Sequence, residues 1–434
     1  MILFPLAVCL MITAPAVFAR GFDNNSGTKE TNVSFNRTII VYDASSLKEA
    51  VRGNYTRIIV HGTINDAEPL ILKDNVTLEG DNSNSEIMTI ADSDAIMLGK
   101  NNIIKNLTIK LSEVYDVNDP NSYEKSSIVN NQGASVGNFV ADHVTANSGI
   151  VLHVTDASKD SIVTIHNNRI SAHYKAGVSI DTQNASTVKV TEISNNIINT
   201  ETAGVWVSGP IVQGISIVAD TKGTIFVNGL KNNDIGKNYG GMGIYSLATG
   251  EGKVIINTIG FNRIGQRLQT SGEGGFMRGI KLIAQGIKGY NGFLICNNII
   301  GNTIASIGSD PNSLLLESDG DGTIVEIGVI KDNTFTTNSY TPQAVFTTGV
   351  TEGGYIRLHP KKISGNTFYN NTKFPNMYFI GFAALGSGST IDFGKNTSFS
   401  DAQSYMANYN AFKNVTDHSL DIYVSTSSGG VVGR

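Results

Sequence analysis

Cysteine is almost absent: the 434 residues contain two, Cys9 and Cys296, which excludes a disulfide-stapled scaffold and leaves packing to hold the fold. Charge is sparse as well, with 16% charged residues and a formal net charge of −5. No basic run occurs and no interleaving of basic with aromatic residues, so a nucleic-acid partner is excluded. Proline is scarce and glycine plentiful, at 9 and 46 residues, a balance that suits strands and turns. Long hydrophobic runs are missing with one exception, residues 1–19, which end at Ala16-Val-Phe-Ala19. That run is too short and wrongly flanked for a spanning helix, although it lacks a starting Lys or Arg. It reads as a signal peptide removed before Arg20, and Cys9 leaves with it. The expected location is secreted, periplasmic or cell-surface, with no integral membrane segment in the mature chain.

What is present is a repeat. The pattern [Ile/Leu]-x-x-Asn-x-[Ile/Phe] recurs seven times, clearest at Ile193 to Ile198, with pivots Asn168, Asn196, Asn233, Asn262, Asn298, Asn333 and Asn366. The pivots lie roughly 28 to 37 residues apart, a period that marks a solenoid, propeller or array. Asparagine tolerates left-handed backbone, so each pivot is expected to turn the chain, and stacked pivots can bond to one another in a ladder. About ten residues after most pivots comes a second apolar strand, such as Gly177-Val-Ser-Ile180, Gly204-Val-Trp-Val207 and Gly279-Ile-Lys-Leu282. A third strand precedes the next pivot, as in Thr187-Val-Lys-Val190. Three short strands per repeat without a helical period predict an all-β parallel β-helix of about ten coils. A propeller needs four strands and a longer repeat.

Along the chain, residues 20–38 read as a flexible leader. Ser46 and Glu49 carry capping-box spacing, predicting a short amphipathic helix that caps the first coil. Arg57-Ile-Ile-Val-His-Gly-Thr-Ile64, Leu70 to Gly80 and Asn102-Ile-Ile-Lys-Asn-Leu-Thr-Ile109 follow. They read as coils with less regular pivots at Asn75 and Asn106, and a further one at His143. The helix fills residues 39–398, and residues 399–434, where the pivot is lost, form a C-terminal cap and tail.

The order of helix, Ile-Ile-Val-x-Gly-Thr-Ile, Asn-Val-Thr-Leu-x-Gly and Asn-Ile-Ile-x-Asn-Leu-Thr-Ile resembles the N-terminal entry of the pectin-lyase-like right-handed β-helix superfamily, and of pectate lyases in particular. Val140-Ala-Asp-His-Val144 and Ser171-Ala-His-Tyr-Lys175 are similar to segments that follow in pectate lyases. The resemblance covers about residues 39–398 and implies the right-handed parallel β-helix, an extracellular polysaccharide and, for a pectate lyase, calcium. The chemical signatures of the family are missing. No Arg-x-Pro-x-x-Arg segment follows Lys175, and of the polygalacturonase motifs only Arg278-Gly-Ile-Lys281 approaches one, with an extra residue.

Alternation along the strand after each pivot predicts an outward column of Ser179, Trp206, Tyr245, Lys281, Leu315, Phe346 and Tyr378. Rings about 4.8 Å apart from coil to coil suit a sugar platform. The candidate substrate-binding residues are Trp206, Tyr245, Phe346 and Tyr378, with Asp181 and Glu317 beside them. Lys281, Arg278 and Tyr245 are the candidate catalytic residues, because a lyase needs a base and a cation that neutralises a uronate carboxylate. The same residues admit a plainer account, in which loops bury the column and Lys281 is a solvated lysine. His143, His153, His166 and His173 cluster in sequence without need to converge, so no metal ligand is assigned, while Ser318-Asp-Gly-Asp-Gly322 could take calcium or simply turn. Two functions remain in view: a pectate-lyase-like protein that binds and cleaves an acidic polysaccharide or cell-surface glycan, as lyase or hydrolase, and a non-catalytic, adhesin-like binding β-helix.

Overall fold

The computed structural model describes residues 37–433, apart from 91–92, 113–124, 174–175, 202–211, 237–240, 266–277, 288, 309–310, 340–343, 372–377, 396 and 414–421. The expected signal peptide, all of the leader but its last two residues, and Trp206 therefore lie outside the described residues, and Thr38, placed at the leader's end, begins the first strand, Thr38–Val41.

The chain winds through three sheets in turn, and every strand pairs in parallel with the strand one coil before and after it. One coil illustrates the path: Lys253–Gly260 in the first sheet, Arg263–Ile264 in the second, Arg278–Gln285 in the third, then Phe293–Ile300 back in the first. Among the described residues the first sheet has 16 strands and the other two have 12 each. This is a parallel β-helix. Its interior is a continuous core of Ile, Val and Leu from alternate positions, with Phe335, Phe368 and Phe412 stacked at 5.3 and 5.4 Å in successive coils. The sequence repeats because each coil must bury the same face against its neighbours.

The corner between first and second sheets explains the asparagine. The left-handed residue is the one before the pivot: Asn167, Asn195, Asn232, Phe261, Gly301, Asp332 and Gly365 all have φ between 55° and 70°. The pivot asparagine points inward instead. Its amide nitrogen donates to the next pivot's oxygen at 2.9–3.0 Å, and that same oxygen accepts from the pivot's backbone N–H. Gly301 is needed twice over, because its φ is +63° and a Cβ there would lie 2.6 Å from the Phe261 ring.

Two pivots differ from expectation. Asn302, not Asn298, continues the ladder from Asn262 to Asn333, while Asn298 bonds outside it to the Asn257 carbonyl at 2.9 Å. The ladder also outlasts residue 398: Asn366 donates to Asn410 at 2.9 Å. Strands Ala411–Lys413, Ile422–Ser427 and Val431–Val432 then extend all three sheets. His143 has φ +53° and Asn106 +51°, so they hold the turn position, with Val144 and Leu107 buried where later coils place asparagine.

Helix α1 spans Ala44–Arg52. Its N-cap is Asp43, reciprocated by Ser46, rather than Ser46 reciprocated by Glu49. Leu47 and Ala50 are buried in the same cluster as Val41 and Ile58, and Lys73 donates to the terminal carbonyls of Arg52 and Gly53 at 2.5 and 2.7 Å. Helix α2, Phe399–Tyr409, interrupts a corner, buries Ala402 and Met406, and delivers Asn410 to the ladder.

Candidate functional site

The third sheet separates its connections by length. Those leaving it toward the first sheet are short turns, as between Thr249 and Lys253 or Thr351 and Tyr355, whereas those entering from the second sheet vary widely, from Gly308–Asn312 to Ile264–Arg278. Variable segments beside a regular sheet are where binding functions accumulate, so the outward face of this sheet is the candidate site.

Strand register fixes which side chains share that face. Val151, Ser179, Ser216, Tyr245, Lys281, Leu315, Thr347, Gly381 and Tyr423 form one outward column. His153, Asp181, Val218, Leu247, Ile283 and Glu317 form the second, two residues further along each strand. Tyr245 and Lys281 are thus adjacent, as expected. The aromatic platform is not continuous. The third-sheet strand of its coil is Gln213–Ala219, so Ser216 takes the place assigned to Trp206, which lies outside the described residues. Phe346 pairs with the inward Leu314 and is fully buried, so it packs in the core and Thr347 faces out. Tyr378 precedes its strand, and Gly381 holds the column position. Its ring stacks on Tyr423 at 4.4 Å, which leaves a two-ring aromatic patch at the far end of the face.

The middle of the face is a recessed trough. His153, Asp181, Gln213, Asp220 and Tyr245 line a cavity of about 360 Å³. Asn130 clamps the His153 backbone through paired bonds of 2.6 and 2.7 Å, fixing the first coil of the trough. Burial pushes the Asp181 carboxyl up to about 6, against the opposing pull of His153 in the adjacent register and the Ser179 hydroxyl. Burial, with the negative fields of Glu317 and Asp181, pushes the Tyr245 hydroxyl up to about 12. A weakly acidic carboxyl and a neutral phenol two coils apart on one cleft are displaced groups of the kind that proton-transferring sites use.

Lys281 is largely buried and its ammonium donates to Glu317 at 2.7 Å. The pair crosses from one outward column to the other, so the positive charge is compensated from within the protein. Arg278 begins the same strand in register with Met242 and Asn312, at the corner rather than in the trough. Asp181 and Glu317 are four coils apart in register, about 19 Å along the axis at the usual strand spacing, too far for the 5–9.5 Å of a hydrolase carboxyl pair. His153 stands beside Asp181 in the second outward column, as alternation expects, and the residues that sequence reasoning left out of the site are Gln213, Ser216 and Asp220. Only strand register identifies them.

The histidines divide among faces. His143 and His166 both meet Asp142, at 2.6 and 3.4 Å, on the first sheet, whereas His153 faces the trough. Among the described residues no group of three or more His, Cys, Asp or Glu side chains is placed to hold a metal ion. In the Ser318–Gly322 turn, Ser318 bonds Thr323 at 2.8 Å and Asp319 accepts from Thr351, so the turn's own bonds use these oxygens.

No protein-family model matches the sequence, and no curated protein does. Solved structures do match. The chain is similar to the Dettilon tailspike protein, with TM-score 0.53 and 16% identity over 89% of this chain and 68% of that one. It is also similar to the A-module of the Azotobacter vinelandii mannuronan C-5 epimerase AlgE4, with TM-score 0.49 and 12% identity over 91% and 99% of the two chains. At these identities the likeness concerns fold alone, that of a parallel β-helix. Among the described residues no helix is long and apolar enough to cross a membrane.

Proposed function

We propose that the protein is an exported β-helix, closed at its N-terminal end by α1, that binds a polysaccharide along the outward face of the third sheet and cleaves it in the trough around Asp181. The observation that carries this reading is the Asp181 carboxyl, raised to about 6 in a cleft of about 360 Å³ shared with Tyr245. A carboxyl of that strength can give a proton to a leaving glycosidic oxygen near neutrality and regain one from the water that adds to the anomeric carbon in hydrolysis, or from the carbon beside the uronate carboxylate as the double bond forms in elimination. Tyr245, neutral at such pH, donates a hydrogen bond to a sugar oxygen, and His153 sets the charge beside Asp181. Lys281, held by Glu317, orients a substrate carboxylate or hydroxyl rather than acting as the base. The stacked Tyr378 and Tyr423 offer a sugar-binding surface further along the same face. The resemblance of the N-terminal coils to pectate lyases makes acidic polysaccharides the first substrates to try.

The second reading is an adhesin-like binding protein without catalysis, and the closed Lys281–Glu317 pair favours it, because a lyase needs that cation for its substrate. Incubation with pectate, alginate and glycosaminoglycans, with and without calcium, separates the two. Unsaturated uronides identify a lyase and new reducing ends alone a hydrolase. Either signal should vanish in Asp181→Asn. Binding without product from any polymer supports the adhesin-like reading instead.

A further inference from the structure

The first sheet carries a feature that the trough does not use. One outward column runs Lys189, Phe226, Ile255, Ile295, Glu326, Arg357, Asp392 in strict register. In the parallel column Phe293 and Ile324 stand beside Ile295 and Glu326. Five apolar side chains thus share the solvent face of consecutive coils, and Phe226 is 41% exposed. Most turns entering this sheet from the third are short, the one between Gln285 and Phe293 being the longer exception near the centre of the face. A contiguous apolar face with a polar border is the signature of an interaction surface. Asn228, Asn257 and Asn297, hydrogen-bonded in series, supply one border.

We propose that this face binds a second copy of the chain, packed antiparallel about a two-fold axis lying along strand Phe293–Ile300. The charge order selects that occupant. Counted outward from Ile295, the column is basic three coils to one side, at Lys189, which already bonds Asp160 of its own chain, and acidic three coils to the other, at Asp392. One coil from the centre, Lys253 lies on the first side and Glu326 on the second. Reversing one copy about that axis places Lys189 against Asp392, Phe226 against the Arg357 guanidinium, Ile255 against Glu326, Lys253 against Ile324, and Phe293 and Ile295 against themselves, so that Lys253 and Glu326 of the mate are diagonal neighbours within reach of their long side chains. A parallel arrangement would set like against like. Lys253 has no ion-pair partner among the described residues, whereas Glu326 and Asp392 share one guanidinium, Arg357, at 2.7 and 3.4 Å. That side is left one negative charge in excess, which Lys253 of the mate meets. The dimensions suffice: five strands of up to eight residues span about 24 by 26 Å, roughly 600 Å² in projection, close to the ~800 Å² per partner of a stable interface.

The test is light scattering of the full chain during size-exclusion chromatography, together with charge exchange. The expected result is twice the monomer mass. Lys253→Glu or Glu326→Lys alone shifts the protein to monomer, and the double exchange restores the dimer. Ile295→Cys, on the axis, cross-links to itself under a mild oxidant, whereas Ile162→Cys at the column's end does not. This readout holds even where a charge variant folds poorly. A monomer at all accessible concentrations overturns the proposal, as does a dimer whose Ile295→Cys form fails to cross-link. Glycan binding that depends on Phe226 in a protein that stays monomeric would assign the face to a different occupant and also overturns it.

Discussion

Asn262 donates its side-chain amide to the oxygen of Asn302 at 2.9 Å, although 40 residues of sequence separate them. The same Asn262 nitrogen donates to the Leu230 carbonyl at 2.8 Å, and its oxygen accepts from the backbone and side chain of Asn233 at 3.0 Å each. Every polar atom of a fully buried amide is therefore satisfied by a neighbouring coil, which makes the ladder a requirement of the corner.

Removing one rung leaves buried donors and acceptors unpaired on both sides. Asn262→Ala is expected to cost roughly 3 kcal/mol, from several lost bonds at about 1 kcal/mol or more each plus desolvated partners. Asn298→Ala, outside the ladder, should cost under about 1 kcal/mol. Urea denaturation of both variants checks this, and equal losses would contradict the ladder assignment.

A second prediction concerns pH. Glu79 is buried, which pushes its carboxyl up, but hydrogen bonds and charges from Lys105 and Arg57 outweigh burial and hold it below the ordinary glutamate range. A carboxylate with a depressed folded pKa stabilises the fold above its unfolded value and loses that contribution as pH falls through the folded one. Stability should therefore decline below about pH 4.5 in the wild type and less steeply in Glu79→Gln, which begins from a lower level at pH 7. Melting temperatures across pH 3–7 check both slopes.

Asp181 has the opposite sign. Its folded value near 6 lies above the ordinary 3.8, so the folded state binds the extra proton and stability falls as pH rises between those values. Ionised Asp181 is destabilising at pH 7, by up to about 3 kcal/mol for a displacement of this size. Asp181→Asn should accordingly melt higher than wild type at pH 7 and no higher at pH 4, while losing glycan processing. A melting temperature lower at both pH values would show that Asp181 is structural.

The sequence made the solenoid legible because every coil repeats one requirement, an inward asparagine between two inward aliphatics. It misled where two stretches satisfied the same pattern. Ile295-x-x-Asn298-x-Ile300 and Ile299-x-x-Asn302-x-Ile304 overlap, and only ladder geometry selects the second. Gly204 to Val207 and Gly214 to Ile217 both alternate, and register with Val178 selects the second. At Ala344-Val-Phe-Thr347 the strand begins one residue later than its neighbours' spacing suggests, which turns Phe346 inward. Asn410 was hidden because α2 stretches the interval from Asn366 to 44 residues. Tyr245, Lys281, Asp181 and Glu317 were legible as outward residues, since alternation within a strand needs no partner. The Lys281–Glu317 pairing was not, because it depends on which columns become neighbours across a coil.

The most direct measurement is the pH dependence of product formation from an acidic polysaccharide by the wild type and by Asp181→Asn. The account predicts turnover in the wild type with a limb that titrates near pH 6, and none in the variant despite its higher melting temperature. Turnover by Asp181→Asn at the wild-type rate, or a profile without that limb, would contradict the assignment of the trough as the site of chemistry.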